Sequence, residues 1–247
     1  GRLVTVTDAE GGIWNYSYTT AGLLASIKDA KSNTTAFSYD ARNRLAAVTD
    51  PLLNATSFEY DAAGRHTKMT KPTGEAVEYT YDAGGSMVKS RNTVTGEWTR
   101  YVRGLYEVKS NGDVTKYYGA LGQNLALKTI PAGGCGALSL TYTDHLGSNA
   151  LVTTADGTIL ERRTYWPFGA TRTASITGSP RTDLLYTGQR EEAGDAAGLG
   201  LYNYKARFYS TLTGRFVSAD PKTNDGLNRY AYARNNPLRY NDPTGLD

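Results

Sequence analysis

Tyr39-Asp40-Ala41-Arg42-Asn43-Arg44-Leu45 and Tyr60-Asp61-Ala62-Ala63-Gly64-Arg65-His66 are one segment written twice, 21 residues apart. Tyr81-Asp82-Ala83-Gly84-Gly85-Ser86-Met87 is a third, degenerate copy, and Tyr18 to Leu24 is an earlier one. Two residues before each tyrosine stands another aromatic: Tyr16, Phe37, Phe58 and Tyr79. Asp8, Asp29 and Asp50 keep the same spacing, with Lys71 as the fourth member. Aromatics at i and i+2, as in Phe58 and Tyr60, project to one face of a strand. The Asp-Ala-x-Gly stretch supplies a turn, because Gly or Asn takes positive φ at little cost. A short strand such as Leu45 to Thr49 then returns, and a second turn at Asp50-Pro51 or Lys71-Pro72-Thr73-Gly74 starts the next unit. One repeat is therefore one β-hairpin. A lone hairpin is marginal in water, so successive units must pair to be stable. The expected product is a long, curved antiparallel strip with aromatics stacked along one face.

Composition agrees with an all-β chain. There are 19 Tyr against 5 Phe, and 27 Gly in 247 residues. Tyr and Thr suit a pleated, half-exposed surface, while Gly and Asn serve tight turns. The formal charge of +3 is spread along the chain instead of gathered in a basic arm, so no nucleic-acid partner is expected. Cys135 is the only cysteine, and His66 and His145 are the only histidines, which leaves no disulfide within the chain and no zinc site of the usual kind. No phosphate-binding glycine loop, cofactor motif or membrane-spanning run is present in the sequence. The chain opens Gly1-Arg2-Leu3 and reads as a fragment or a processed piece of something longer.

The Tyr-Asp-x-x-Gly-Arg pattern at this period resembles the YD or RHS repeat. The second half resembles the RHS repeat-associated core. Tyr142-Thr143-Asp144-His145-Leu146-Gly147-Ser148 is similar to the opening of that core. Tyr165-Trp166-Pro167-Phe168-Gly169 and Tyr186-Thr187-Gly188-Gln189 are similar to its middle. Gly198 through Tyr209, Gly214-Arg215-Phe216-Val217-Ser218-Ala219-Asp220-Pro221 and Asn228-Arg229-Tyr230-Ala231-Tyr232 come next, in order. Asn235-Asn236-Pro237 and Asp242-Pro243-Thr244-Gly245-Leu246 match the family terminus. The resemblance implies a spiralling hairpin-repeat shell with an inward-turning C-terminal plug. We expect a YD-repeat strip over 1–95, an irregular β continuation over 96–140, with a loop insertion at 130–137, and the core over 141–247, with one short helix near 226–234. The partners it implies are a C-terminal toxin cargo lying outside these residues and the rest of the shell, in a protein exported from bacteria and hence extracellular. A piece of shell also exposes cut sheet edges, so a homo-oligomer or a longer parent chain is expected to cover them.

The resemblance also implies that an aspartate pair cuts the chain just past Asp-Pro-x-Gly-Leu. Matched residue by residue, the pair is Asp220 and Asp242, and the cleavage site is at or near Leu246 and Asp247. This would be a single-turnover aspartyl autoprotease. Two carboxylates held together share a proton, giving a general base for water and an acid for the leaving amide. They are expected within hydrogen-bonding reach of each other or of one water, with Arg215 and Arg207 as candidates for holding a carboxylate charged. Read without the resemblance, both Asp-Pro steps are turns. Asp144, His145 and Ser148 share one short turn, and a catalytic triad needs convergence from separate segments. His66 reads as a strand-face residue where neighbouring repeats carry Leu or Met. Two other functions stay open: a purely structural or adhesive module with inert aspartates, and a carbohydrate-binding module using the tyrosine face.

Overall fold

The aromatic strands and their return strands pair as the repeat requires. A computed structural model describes residues 3–102, 104–120, 123–177, 180–192, 200–220 and 229–246. The outgoing strands are β2 (Ile13–Tyr18), β4 (Thr34–Tyr39), β6 (Ala55–Tyr60) and β8 (Ala76–Tyr81). They return as β3 (Leu24–Lys28), β5 (Leu45–Thr49), β7 (His66–Thr70) and β9 (Met87–Asn92). Phe37 faces Val48 and Phe58 faces Met69 across the antiparallel ladders. In each hairpin the register slips by a bulge just before the last tyrosine, at Tyr18, Tyr39, Tyr60 and Tyr81. A bulge re-aims the side chain next to it. Here it sends the tyrosine hydroxyl back one unit: Tyr39 Oη donates to the Leu24 carbonyl at 2.9 Å and Tyr60 Oη to the Leu45 carbonyl at 2.9 Å. Tyr81 Oη likewise donates to the His66 carbonyl at 2.6 Å.

The Asp and Arg of the signature do the complementary job. Asp40 Oδ1 accepts the backbone N–H groups of Arg42 and Arg44, both at 2.9 Å, which closes the turn. Asn43 and Gly64 take the left-handed position there, at φ 61° and 87°. Arg44 pairs with Asp40 at 2.7 Å and its Nη1 reaches forward to the Asp61 carbonyl at 3.0 Å. Arg65 repeats this with Asp61 and the Asp82 carbonyl, at 2.6 and 3.2 Å. Tyrosine ties each unit backward and arginine ties it forward.

The opposite turns place two non-glycine residues in the left-handed region, Ser32 at φ 68° and the bulkier Leu53. Leu53 sits at φ 65°, where a Cβ is crowded, with its side chain 84% exposed. Leu53→Gly removes that crowding without losing packing and should raise stability by about 0.5–1 kcal/mol, net of the glycine's unfolded-state entropy. The thermal midpoint checks this, and an unchanged or lower midpoint would refute it.

Among the described residues the wall is one sheet of seventeen strands, from β1 (Thr5–Thr7) to β17 (Thr171–Ile176). Each strand pairs antiparallel with the next in sequence. The repeat strip and the β continuation expected over 96–140 form one ladder, and strands of the same ladder run on to Ile176. The letters of the repeat drift there, but the turn chemistry persists: Gly112, Gly147 and Gly169 hold left-handed positions at φ 90°, 85° and 87°. The stretch expected as a loop insertion at 130–137 holds a tight turn, Gly134 N–H to the Pro131 carbonyl at 3.0 Å.

The last part of the chain forms a second, four-stranded sheet. Its strands are β18 (Arg190–Glu191), β19 (Leu201–Asn203), β20 (Phe208–Ser210) and β21 (Arg215–Phe216). It docks on the inner face of the wall: Leu201 and Phe208 share a core with Ile27, Phe37, Val48, Phe58, Met69 and Tyr79. Tyr79 Oη donates to Glu192 at 2.6 Å, and Arg190 joins Glu107 of the wall to Asp183. A second core holds Tyr186, Tyr202, Tyr204, Tyr209, Phe216 and Tyr232. The helix expected near 226–234 is corrected: residues 221–228 lie outside those described, and Ala233–Asn235 form a single turn. Its three residues all have positive φ, between 47° and 59°, which a right-handed helix does not permit.

Candidate functional site

Asp242 is fully buried, in the turn that begins the terminal segment. Its Oδ1 accepts three backbone N–H groups, from Thr244 at 3.2 Å, Gly245 at 2.7 Å and Leu246 at 3.0 Å. That folds the terminus around the carboxylate, an Asx turn extended by one residue. Gly245 has φ 74°, and a Cβ there would lie 2.7 Å from the Tyr204 carbonyl oxygen, so the position admits only glycine. Asp242 Oδ2 is buried without a hydrogen bond.

Asp220 arrives from the other side and is 4% exposed. Its N–H donates to the Arg229 carbonyl at 2.8 Å, and its own carbonyl accepts Arg229 Nε at 2.8 Å and Arg229 Nη2. Between the aspartates lies Arg207, also 4% exposed, placed by a tight turn after β19 in which Tyr204 N–H meets the Arg207 carbonyl at 3.0 Å. Its Nη2 is 2.7 Å from Asp220 Oδ2 and 3.6 Å from Asp242 Oδ2. Its Nε donates to the Gly245 carbonyl, and its Nη1 to the Arg229 carbonyl at 3.0 Å. The guanidinium lies over the Phe216 ring, 3.8 Å from the centroid. Arginine suits this place because its planar fork serves several acceptors at once and stacks on a ring.

The structure thus brings Asp220, Asp242 and Arg207 onto one guanidinium, and leaves Arg215 out. Arg215 and Phe216 are neighbours on β21, so their side chains leave opposite faces. Phe216 lies under Arg207, while Arg215 lines a small cleft, which Phe216 also borders, with Leu24, Phe37 and Tyr39 of the wall. Leu246 is half-buried beside Asp242, and Asp247 lies outside the described residues. Arg229 is the contact that the sequence reading missed; it lies within the family-like Asn228-Arg229-Tyr230 run, but nothing in that run marks its side chain. Nearby hydroxyls are held protonated by burial: Tyr204 and Tyr232 are both pushed above the ordinary phenol range, and they meet at 3.1 Å. A polar crevice of about 410 Å³ opens beside the site, lined among others by Thr141, His145, Gln189, Lys205, Asn241 and Pro243. His145 and Ser148, neighbours in the Asp144 turn, hold the plug to the wall instead: His145 Nε2 is 3.0 Å from the Leu238 carbonyl and Ser148 Oγ accepts Thr187 N–H at 3.1 Å.

The family described as RHS Repeat matches residues 1–34, 18–54, 39–76 and 60–97. Toxin subunit YenC2 of Yersinia entomophaga is 36% identical over 110 residues, which cover 43% of this chain and 11% of that protein. Toxin protein Tse5 of Pseudomonas aeruginosa is 31% identical over 130 residues, 52% of this chain and 9% of that protein. The chain therefore spans about a tenth of the length of the curated relatives it matches. Among solved structures, a TcdB2-TccC3 crystal structure superposes over 99% of this chain and 18% of its own, with a TM-score of 0.68 at 17% identity. That likeness is one of fold, and it covers both the repeat sheet and the second sheet.

Proposed function

We propose that this chain, an RHS/YD-repeat protein, is the closing end of a toxin-enclosing shell that cuts its own backbone beside Leu246 to free a downstream cargo. The wall in this reading runs to Ile176 and the plug from about residue 180 to the terminus. Further wall comes from the parent chain or a second copy, and the assembly is exported from a bacterium. The observation that carries the reading is the convergence of Asp220, Asp242 and the terminal Gly245 on the Arg207 guanidinium.

In the cut, one carboxyl group takes a proton from a water as its oxygen attacks the carbonyl carbon of Leu246. The other gives a proton to the nitrogen of Asp247 as the C–N bond breaks, leaving a carboxylate and an amine. Asp242 Oδ2 suits the water-facing role, since Oδ1 is engaged by three N–H groups. Arg207 and Asp242 grip Gly245 from its two sides, by carbonyl and by N–H, and so fix the segment entering the scissile bond. Each buried side chain around the pair keeps bulk water from competing.

The test uses the full parent chain, continuing past Asp247. The unsubstituted chain should be recovered as two pieces, the first ending at Leu246 by mass spectrometry. Asp220→Asn and Asp242→Asn should each slow the cut by at least about 100-fold, since each removes a proton-transfer group. An intact unsubstituted chain, or asparagine variants that cut at the same rate, would leave a purely structural plug as the reading.

A further inference from the structure

The contacts of Arg229 have no role in the proton transfers of the cut, and they are unusual for an exposed residue. Its guanidinium spends two donors on a single backbone carbonyl, that of Asp220. Its own backbone carbonyl is spent twice as well, on the Asp220 N–H at 2.8 Å and on Arg207 Nη1 at 3.0 Å. Arg229 therefore touches both members of the 2.7 Å Asp220–Arg207 pair, Asp220 through its backbone and Arg207 through a guanidinium nitrogen. A residue serving only the fold would have no reason to bridge these two in particular, and an exposed one contributes little core packing.

The geometry points to Arg229 as a positioning residue for the cut: its side chain fixes the peptide of Asp220, so that the carboxylate meets Arg207. The inference rests on the proposed self-cleavage and adds a residue to it. The guanidinium is required because two parallel donors on one carbonyl hold it in a plane as well as at a distance. A lysine ammonium supplies a point charge and leaves the peptide free to rotate. A carboxylate displaced by about 1 Å loses on the order of 10- to 100-fold in rate.

The full parent chain with Arg229→Ala should cut about 10- to 100-fold more slowly than the unsubstituted chain. Its thermal midpoint should stay close to that of the unsubstituted chain, because no cavity opens. Arg229→Lys should fall between the two. Millimolar methylguanidinium should restore the alanine variant and leave Asp220→Asn uncut, a rescue that a merely structural role would not give. Cutting by Arg229→Ala at the unsubstituted rate overturns the inference, and so does a slowing that tracks a lowered midpoint without rescue. Should the unsubstituted chain not cut at all, it is the self-cleavage reading that falls. Arg229 is then judged by a crystal structure of the alanine variant: a retained Asp220–Arg207 contact overturns the positioning role, and a lost one upholds it.

Discussion

Arg207→Ala is expected to abolish the cut and to lower stability by about 3–5 kcal/mol, the range for removing one member of a buried ion pair. The loss is large because Arg207 answers two buried carboxylates and two backbone carbonyls at once. Alanine leaves all four acceptors without that donor and removes the cation from the Phe216 face. The source of the loss can be checked with a second substitution. Adding Asp220→Asn to Arg207→Ala removes the carboxyl group that lies 2.7 Å from Arg207, so the double variant should be more stable than Arg207→Ala alone by more than about 1 kcal/mol. Denaturant midpoints of the three chains give the answer. An Arg207→Ala loss under about 1 kcal/mol, or a double variant no better than the single, would mean that the carboxylates find another partner.

The second large effect concerns acid. His66 is 3% exposed, its ring between Phe58 and Tyr79 of the wall and 4.5 Å from Phe208 of the plug; neither ring nitrogen has a well-formed hydrogen bond, and the Lys68 backbone offsets the burial only weakly. Desolvation pushes its pKa down to about 3. The unfolded chain takes up a proton near pH 6.5 that the folded chain refuses until about pH 3, so stability falls as pH drops through that window. The slope approaches about 1.4 kcal/mol per pH unit below pH 6.5, which totals about 2.3 kcal/mol between pH 6.5 and 4.5. The equivalent positions of neighbouring hairpins hold Leu24, Leu45 and Met87. His66→Leu should therefore gain about 1–2 kcal/mol at pH 7.5, by relieving unsatisfied nitrogens, and a larger advantage at pH 4.5. Other groups titrate alike in both chains, so the difference between their pH profiles isolates His66. Parallel profiles from pH 7.5 to 4.5 would refute the argument.

The wall is legible where its letters repeat and obscure where only its physics does. The 21-residue period declares the hairpins as far as Met87, since each unit must present an aromatic pair, an Asp-closed turn and a left-handed residue at fixed places. Beyond Asn92 the strands vary in length, from Tyr106–Lys109 to Gln123–Ile130, and the period is lost although the ladder continues. A boundary read from the period therefore marks where the letters drift, not where the ladder ends. His66 was legible as a strand-face residue, but the depth of its burial depends on Phe208, a contact 142 residues away that no local pattern records. At the site, the aspartates and Arg207 came from motif resemblance. What separated Arg207 from Arg215 was the alternation of side chains on β21, which needs the strand to be known first. Arg229 acts by backbone carbonyls, and a sequence carries no sign of which carbonyl a side chain will meet.

The ties between hairpins have a consequence for how such a wall can change over generations. Each tyrosine hydroxyl reaches the same place one unit back, from Tyr39 to Leu24, Tyr60 to Leu45 and Tyr81 to His66, and Arg44 and Arg65 reach the same place one unit ahead. Unequal recombination that duplicates or excises one whole 21-residue unit therefore leaves no tie without its counterpart, while a change of any other length breaks one at each junction. Between Leu24 and Asp82, where these ties run, the wall keeps every tie only when it is inherited longer or shorter by whole links.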